Sequence, residues 1–223
     1  MEIAELLEIE RGLTALIGGG GKTTLMFTLA SELKRTGSVI ICTSTHIRRP
    51  EGFSLITGDD ISEVRKTLDK EGIIAVGKSA PDDKITAPDI SFSELKEEAD
   101  FVLVEADGAR GLPLKAHAPH EPVIPENTDK TVLVIGADGF YKPVQEVCHR
   151  SEIWASLAGI AADDPASPEG EAKVIIKEGF GDMVFINKAE SDESKEAASR
   201  LAGCLSLPVV SGSLFMGEYK RWK

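Results

Sequence analysis

The chain has 223 residues, of which 42% are hydrophobic and 28% charged, the balance of a soluble globular protein and not of a disordered segment. No apolar run approaches the ~20 residues a membrane span needs. A formal net charge of -12 argues against sequence-independent nucleic-acid binding, which needs a positive field. At this length a single domain over residues 1–223 is expected. The N-terminus carries Glu2, Glu5, Glu8 and Glu10 with no basic leader, so it does not read as a secretory signal. Cys42, Cys148 and Cys204 form no CxxC pair, which suits a reducing compartment, and the expected location is the cytoplasm.

In chain order, an amphipathic start at Met1 to Glu8 is followed by an apolar strand at Leu13 to Ile17. A glycine-rich turn comes next, then a helix on which Leu25, Leu29 and Leu33 recur at helical spacing and which Gly37 ends. Further apolar strands are expected at Val39 to Cys42, Phe53 to Ile56, Gly72 to Val76, Phe101 to Val104, Thr131 to Ile135, Met183 to Ile186 and Leu207 to Val210. Asp60 to Lys70 and Ser191 to Leu205 read as helices, the second burying Ala198, Leu201, Ala202 and Leu205. Continuous apolar strands separated by helices imply an α/β fold, P-loop NTPase-like, with a mainly parallel sheet covered by helices on both faces. The longest irregular stretch is Asp107 to Asp129; loops of that length in a domain are often functional. Ala161 to Pro168 reads as a surface connection, and Lys220, Arg221 and Lys223 as a solvated tail.

The first strand leads into Gly18, Gly19, Gly20, Gly21, Lys22, Thr23 and Thr24. Glycines can take the positive φ values that turn successive N–H groups into an anion-binding nest. Lys22 is placed to reach terminal phosphates, and Thr23 Oγ1 to ligate Mg2+ at a helix N-terminus whose dipole favours the same charge. The usual loop has a glycine six residues before the lysine; here that position is Leu16, so the loop is short, in a form that resembles the Mur ligases. The expected cofactors are GTP or ATP with Mg2+.

The carboxyl ends of the other strands supply the remaining candidates. Thr43, Ser44, Thr45 and His46 offer hydroxyls and an imidazole that orient water, complete a metal shell, contact a second substrate, or simply cap a turn. Glu105, directly behind an apolar strand, is the candidate Mg2+ carboxylate or water-orienting group, with Asp107 next in line. Arg110, Lys115, His117 and His120, on one loop of an acidic chain, suggest a small anionic second substrate or charge neutralisation in phosphoryl transfer. Zinc at His117 and His120 finds only Glu121 as a nearby third ligand. Asn187, Lys188 and Glu190 in the run NKAE come one residue short of the N-K-x-D signature of guanine-specific proteins, and Ser211 follows the last strand where such proteins close over the base. Lys22, Glu105, Asp107, Arg110 and His46 are thus the candidate catalytic residues; the glycine loop, Asn187, Lys188, Glu190 and Ser211 are the candidate nucleotide contacts.

Taken together, GGGGKTT, CTSTHI, VLVEADGARGLPLKAHAPHEPVIP, VLVIGADG, VCHR and FINKAE resemble the YqeC family, over roughly residues 12 to 212. That resemblance implies a cytoplasmic accessory protein of selenium-dependent molybdenum hydroxylases, with a nucleotide-driven step in cofactor maturation and a hydroxylase or maturation protein as partner. The spacing of Glu105 to Gly108 is similar, more distantly, to the E-x-x-G of metallochaperone GTPases. Three activities remain open on the residues: a GTPase or ATPase, a transferase phosphorylating or adenylating a small anion, and a non-hydrolysing nucleotide-dependent interaction module.

Overall fold

The computed structural model describes residues 1–222, so the Lys223 of the expected tail lies outside them. Short helix α1 (Ile3–Leu6) precedes β1 (Gly12–Gly18), the glycine loop and α2 (Lys22–Leu33). There follow β2 (Val39–Thr43), β3 (His46–Arg48), β4 (Leu55–Ile56), α3 (Ile61–Glu71), β5 (Ile73–Val76), β6 (Lys78–Ala80), β7 (Lys84–Thr86), α4 (Phe92–Glu98) and β8 (Phe101–Glu105). The long loop contains only β9 (Leu114–Lys115) before β10 (Lys130–Gly136). The last third holds α5 (Val144–Val147), β11 (Cys148–His149), α6 (Ser151–Ala158), α7 (Pro168–Glu178), β12 (Met183–Asn187), α8 (Asp192–Cys204), β13 (Val209–Ser213) and β14 (Glu218–Arg221).

Among the described residues the main sheet has nine strands in the order β14-β13-β12-β10-β1-β8-β2-β5-β4, all parallel except the β13–β14 pair. β1 sits between β10 and β8; the chain places β2, β4 and β5 on one side of it, fills the gap beside β1 with β8, and then builds outward on the other side through β10, β12 and β13. A crevice at such a reversal, outside the carboxyl ends of the strands, is where parallel α/β sheets bind ligands.

The period-2 alternation of β1 sorts its side chains between the two layers. Leu16 packs with Leu25, Met26 and Leu29 of α2 and with α1. Leu13 packs with Val64 and Leu68 of α3 and Leu95 of α4. Ala15 and Ile17 meet the layer carrying Trp154 of α6, Ile175 of α7 and Leu201 of α8. Helices therefore cover both faces, as the apolar strands require. Asp60 caps α3 by accepting from the Ser62 and Glu63 amides, and Ser91 closes a capping box on α4.

Two elements differ from the sequence reading. The C-terminal basic residues are no solvated tail: Lys220 and Arg221 belong to β14, where Lys220 Nζ stands 3.5 Å from the centre of the Trp222 ring and Arg221 pairs with Glu8. The His46 segment is not a turn but an edge of the separate antiparallel sheet β3-β7-β6. Ala161 to Pro168 is a surface connection between α6 and α7, with Ala161, Asp163, Asp164 and Pro165 exposed, and is pinned by an isolated bridge from Pro143 to Pro165 and by buried Ala166.

Phe185 of β12 is fully buried and meets Tyr219 edge-on at 6.3 Å. Phe185→Ala is expected to cost ~3–5 kcal/mol, a large share of a stability of ~5–15 kcal/mol. Urea denaturation checks this: the midpoint should fall with the slope unchanged.

Candidate functional site

The glycine loop is shaped by what presses on it. A Cβ on Gly20 would stand 2.1 Å from the Gly136 nitrogen, and Gly20 itself has φ +68. Gly21, at φ +117, is the N-cap of α2. The Leu112 and Pro113 carbonyls close over the outer side: Gly20 N–H donates to Leu112 O at 3.1 Å and Gly136 N–H to Pro113 O at 2.9 Å. The segment after β8 thus holds the loop against β10, and glycine is required as much by lack of room as by backbone conformation.

Behind the loop lies a buried ionic cluster centred on Asp107, which is wholly inaccessible. Its Oδ2 accepts from the Gly18 amide at 2.8 Å, stands 2.8 Å from His117 Nε2 and lies 3.4 Å from Lys115 Nζ. Its Oδ1 lies 2.9 Å from Lys22 Nζ, an ionic contact without hydrogen-bond geometry. Lys22 also donates to Gly18 O at 2.6 Å. His117 Nδ1 stands 2.8 Å from Glu178 Oε2 at the end of α7. Burial by itself would raise Asp107, but Lys22, His117, Lys115 and the Gly18 amide outweigh it and hold the carboxyl far below the usual range. For His117, burial opposes the charged ring, yet the bonds to Asp107 and Glu178 prevail and raise it. Close by, burial pushes Glu171 up to about 8 against the lowering effect of its bond from Trp154 Nε1.

Glu105 ends β8 beside Leu16 and Thr43. Its Oε2 accepts from Thr23 Oγ1 at 2.8 Å, and its Oε1 lies 3.7 Å from Lys22 Nζ. Burial raises its pKa, with Lys22 and Thr23 pulling the other way. Glu105 and Asp107 therefore share Lys22, as their two-residue spacing implied. Only Glu105 opens onto the phosphate side, a cavity of about 230 Å3 lined by the glycine loop, Thr23, His46, Arg48 and Arg110. A threonine hydroxyl and a carboxylate at the N-terminus of α2 are hard oxygen donors of the kind Mg2+ takes alongside phosphate oxygens and water. These residues fit that ion: Thr23 would ligate it, Glu105 would hold it or its water, and the ion would supply charge neutralisation between phosphates.

The hydroxyls after β2 serve as ties: Thr43 Oγ1 donates to Glu105 O at 2.7 Å and Ser44 Oγ to Val123 O at 2.5 Å. His46 is exposed in the phosphate cavity. Of the loop cations, Arg110 faces that cavity, whereas Lys115 and His117 are buried in the Asp107 cluster; Lys115 also donates to Gly108 O at 2.6 Å and pairs with Glu121. His120 is exposed and does not line the cavity. The expectation that these four cations face one anionic ligand is thus corrected for Lys115 and His117, which neutralise the buried Asp107.

On the other side of the loop a cavity of about 850 Å3 is lined by Gly21, Thr24, Asp138, Tyr141, Lys188, Glu190 and Phe215 among others. Asn187 staples its floor: Nδ2 donates to Gly20 O at 2.8 Å, and Oδ1 accepts from the Leu214 amide at 3.1 Å. Lys188 pairs with Asp138 at 2.8 Å, and Glu190 Oε1 accepts from Ser213 Oγ at 2.7 Å. Ser211 is corrected: its Oγ accepts from Trp222 Nε1 at 2.9 Å and it does not line this cavity, and Ser213, two residues on, holds the position beside Glu190. Sequence reasoning missed Arg48, Glu178, Asp138 and Phe215. Arg48 was detectable as the residue two after His46, on the same face of a strand; for Phe215 there was no signal.

The family described as YqeC protein matches residues 14–152. The chain belongs to the YqeC family. A curated YqeC relative from Escherichia coli (strain K12), described as an uncharacterized protein, is 30% identical over 205 residues, covering 84% of this chain and 80% of its own length. Among solved structures, the signal recognition particle 54 kDa protein of Aeropyrum pernix K1, in complex with GDP, aligns at 15% identity and TM-score 0.42 over 96% of this chain. The present chain spans 44% of that protein's length. The YqeC chain itself carries an α/β fold, with the glycine loop at the end of the central strand of a mainly parallel sheet. No helix among its described residues is long and apolar enough to cross a membrane.

Glu171 keeps its proton in the fold up to about 8 and loses it near the ordinary 4.5 when unfolded, so within that window the native state binds the extra proton and stability falls as pH rises. His117, raised as well, contributes stability present below its unfolded value of about 6.5 and lost as pH climbs through the higher folded one. Resistance to urea should therefore decline between about pH 5 and about pH 8, by on the order of 1 kcal/mol per unit at most per group. Glu171→Gln, which keeps an oxygen for Trp154, should flatten the profile; an unchanged slope would mean that Glu171 is ionised in the fold.

Proposed function

We propose that this YqeC chain is a single-domain, Mg2+-dependent P-loop NTPase, acting in the cytoplasm, that favours GTP over ATP and serves cofactor maturation of a selenium-dependent molybdenum hydroxylase. The observation that carries the NTPase reading is the 2.8 Å bond between Thr23 Oγ1 and Glu105 Oε2, at the N-terminus of α2 and beside Lys22. It gathers a metal-ligating hydroxyl, a carboxylate and a phosphate-reaching ammonium at one end of a glycine loop. Catalysis of phosphoryl transfer is largely positioning and charge stabilisation, and these groups supply both. Membership of the YqeC family supports the maturation role.

The guanine preference rests on Glu190, whose carboxylate the Ser213 hydroxyl holds at the 850 Å3 cavity. Guanine offers N1–H and its 2-amino group as adjacent donors to one carboxylate, whereas adenine presents a lone pair at N1. Such a bidentate contact discriminates by ~1–3 kcal/mol. Asn187 acts by positioning, since both ends of its amide are taken up by the Gly20 and Leu214 backbone.

Incubating the full chain with GTP or ATP, with and without Mg2+, and identifying the products tests the activity. Glu105→Gln should keep nucleotide affinity and lose turnover. Lys22→Ala should weaken binding roughly 10- to 100-fold and, because Lys22 is buried against Asp107, also lower the unfolding midpoint. Wild-type turnover by Glu105→Gln, or unaltered affinity in Lys22→Ala, would remove the assignment.

For the base, calorimetric titration of both nucleotides into wild type and Glu190→Ala is decisive. A GTP preference of about tenfold or more should vanish in the variant. Equal wild-type affinities, or a preference that survives the change, would take Glu190 out of the base site.

A further inference from the structure

The phosphate cavity has a second wall that the nucleotide reading does not use. β3 alternates exposed His46, buried Ile47 and exposed Arg48, so the imidazole and the guanidinium share one face, and both line the 230 Å3 cavity opposite the glycine loop. Arg110 lines it from the loop after β8. We propose that His46, Arg48 and Arg110 form a second anion subsite, which takes a small oxyanion alongside the nucleotide; the inference rests on the NTPase reading and names the substrate class of that same pocket.

Pairing and placement together set these side chains apart: among the described arginines without a carboxylate partner, Arg48 and Arg110 line the cavity and Arg49 does not. Arg11, Arg35, Arg65, Arg150, Arg200 and Arg221 each meet a carboxylate. Among the described residues, the side chains of His46, Arg48 and Arg110 make no hydrogen bond or ion pair, although the chain has 37 acidic residues to draw on against 25 lysines and arginines. Positive groups left unneutralised in an acidic protein, and directed at one cavity, are a field built for an anion. Arg110 adds an independent sign: it sits at φ +51, where arginine is uncommon, followed by Gly111 at φ +75. Backbones held in that region concentrate at ligand sites.

The subsite suits an anion other than the terminal phosphate. That phosphate would have Lys22, the amides at the N-terminus of α2 and a Mg2+ held at Thr23 and Glu105; two further guanidinia and an imidazole exceed its needs. The acidic group in the lining, Glu105, is engaged by Thr23. The cavity has the volume of about seven waters at ~30 Å3 each, room for a group beyond one phosphate. A guanidinium fork matches the paired oxygens of phosphate-like and carboxylate anions.

The test uses the full chain saturated with Mg2+ and a non-hydrolysable GTP analogue, with inorganic phosphate as the titrant in a calorimeter. Phosphate should bind beside the analogue, and Arg48→Ala and Arg110→Ala should each weaken it about tenfold or more, with Arg48→Lys restoring only part. Phosphate that binds with GDP but is excluded by the triphosphate analogue would assign the arginines to the terminal phosphate and overturn the proposal. So would phosphate affinity unchanged in both alanine variants, or no phosphate binding to wild type. Nucleotide affinity is measured first on every sample, so loss of the NTPase reading shows as absent nucleotide binding, separate from any result with phosphate.

Discussion

A carboxylate removed from water is the constraint on which the site depends. Asp107 has no exposed surface, and an ion in that position costs several kcal/mol of desolvation unless its surroundings repay it. Four groups from two parts of the chain do so: the Gly18 amide and Lys22 of the glycine loop, and Lys115 and His117 from the segment after β8, with His117 in turn held by a third part, Glu178 of α7. None of these parts can settle without the others. The phosphate loop is therefore held in place by a buried ionic network as well as by its strand and helix.

That arrangement explains why the ADGARGLPLKAH segment is long and irregular yet ordered. Its first half delivers Asp107 beneath the loop, its middle sets the Leu112 carbonyl on the Gly20 amide and the Pro113 carbonyl on the Gly136 amide of β10, and its second half brings back Lys115 and His117 to neutralise the charge. The same lysine that pairs with Asp107 from the P-loop stands 3.7 Å from Glu105, so the charge balance behind the loop and the metal-side carboxylate are electrostatically linked.

The fold was largely legible because its strands are buried on both faces and read as unbroken apolar runs, from Leu13 to Ile17 through Met183 to Ile186. That the glycine loop, Thr23 and Glu105 come together was legible because each stands at or just after the carboxyl end of neighbouring strands β1 and β8. The roles of Lys115 and His117 were not. A cation in a loop looks alike whether it faces a ligand or a buried carboxylate, and only the tertiary path that brings it back under Gly18 separates the two. Ser211 and Ser213 lie on one face of β13, one repeat apart, and which of them reaches the rim is set by where the strand ends. β14 escaped notice because its residues, Glu218 to Arg221, are polar and mostly exposed, as an edge strand allows.

That last strand has a further consequence. Without β14, β13 would offer its unpaired backbone groups to any passing chain, and the sheet would invite growth by strand addition. β14 caps this side with charged residues and an antiparallel turn of direction, and on the far side β4 is only two residues long. Both lateral borders are thus poor templates for another strand, and the helical layers close the two faces. What the sheet leaves open is the loop-bearing rim at the carboxyl ends of its strands, where the 230 Å3 cavity lies.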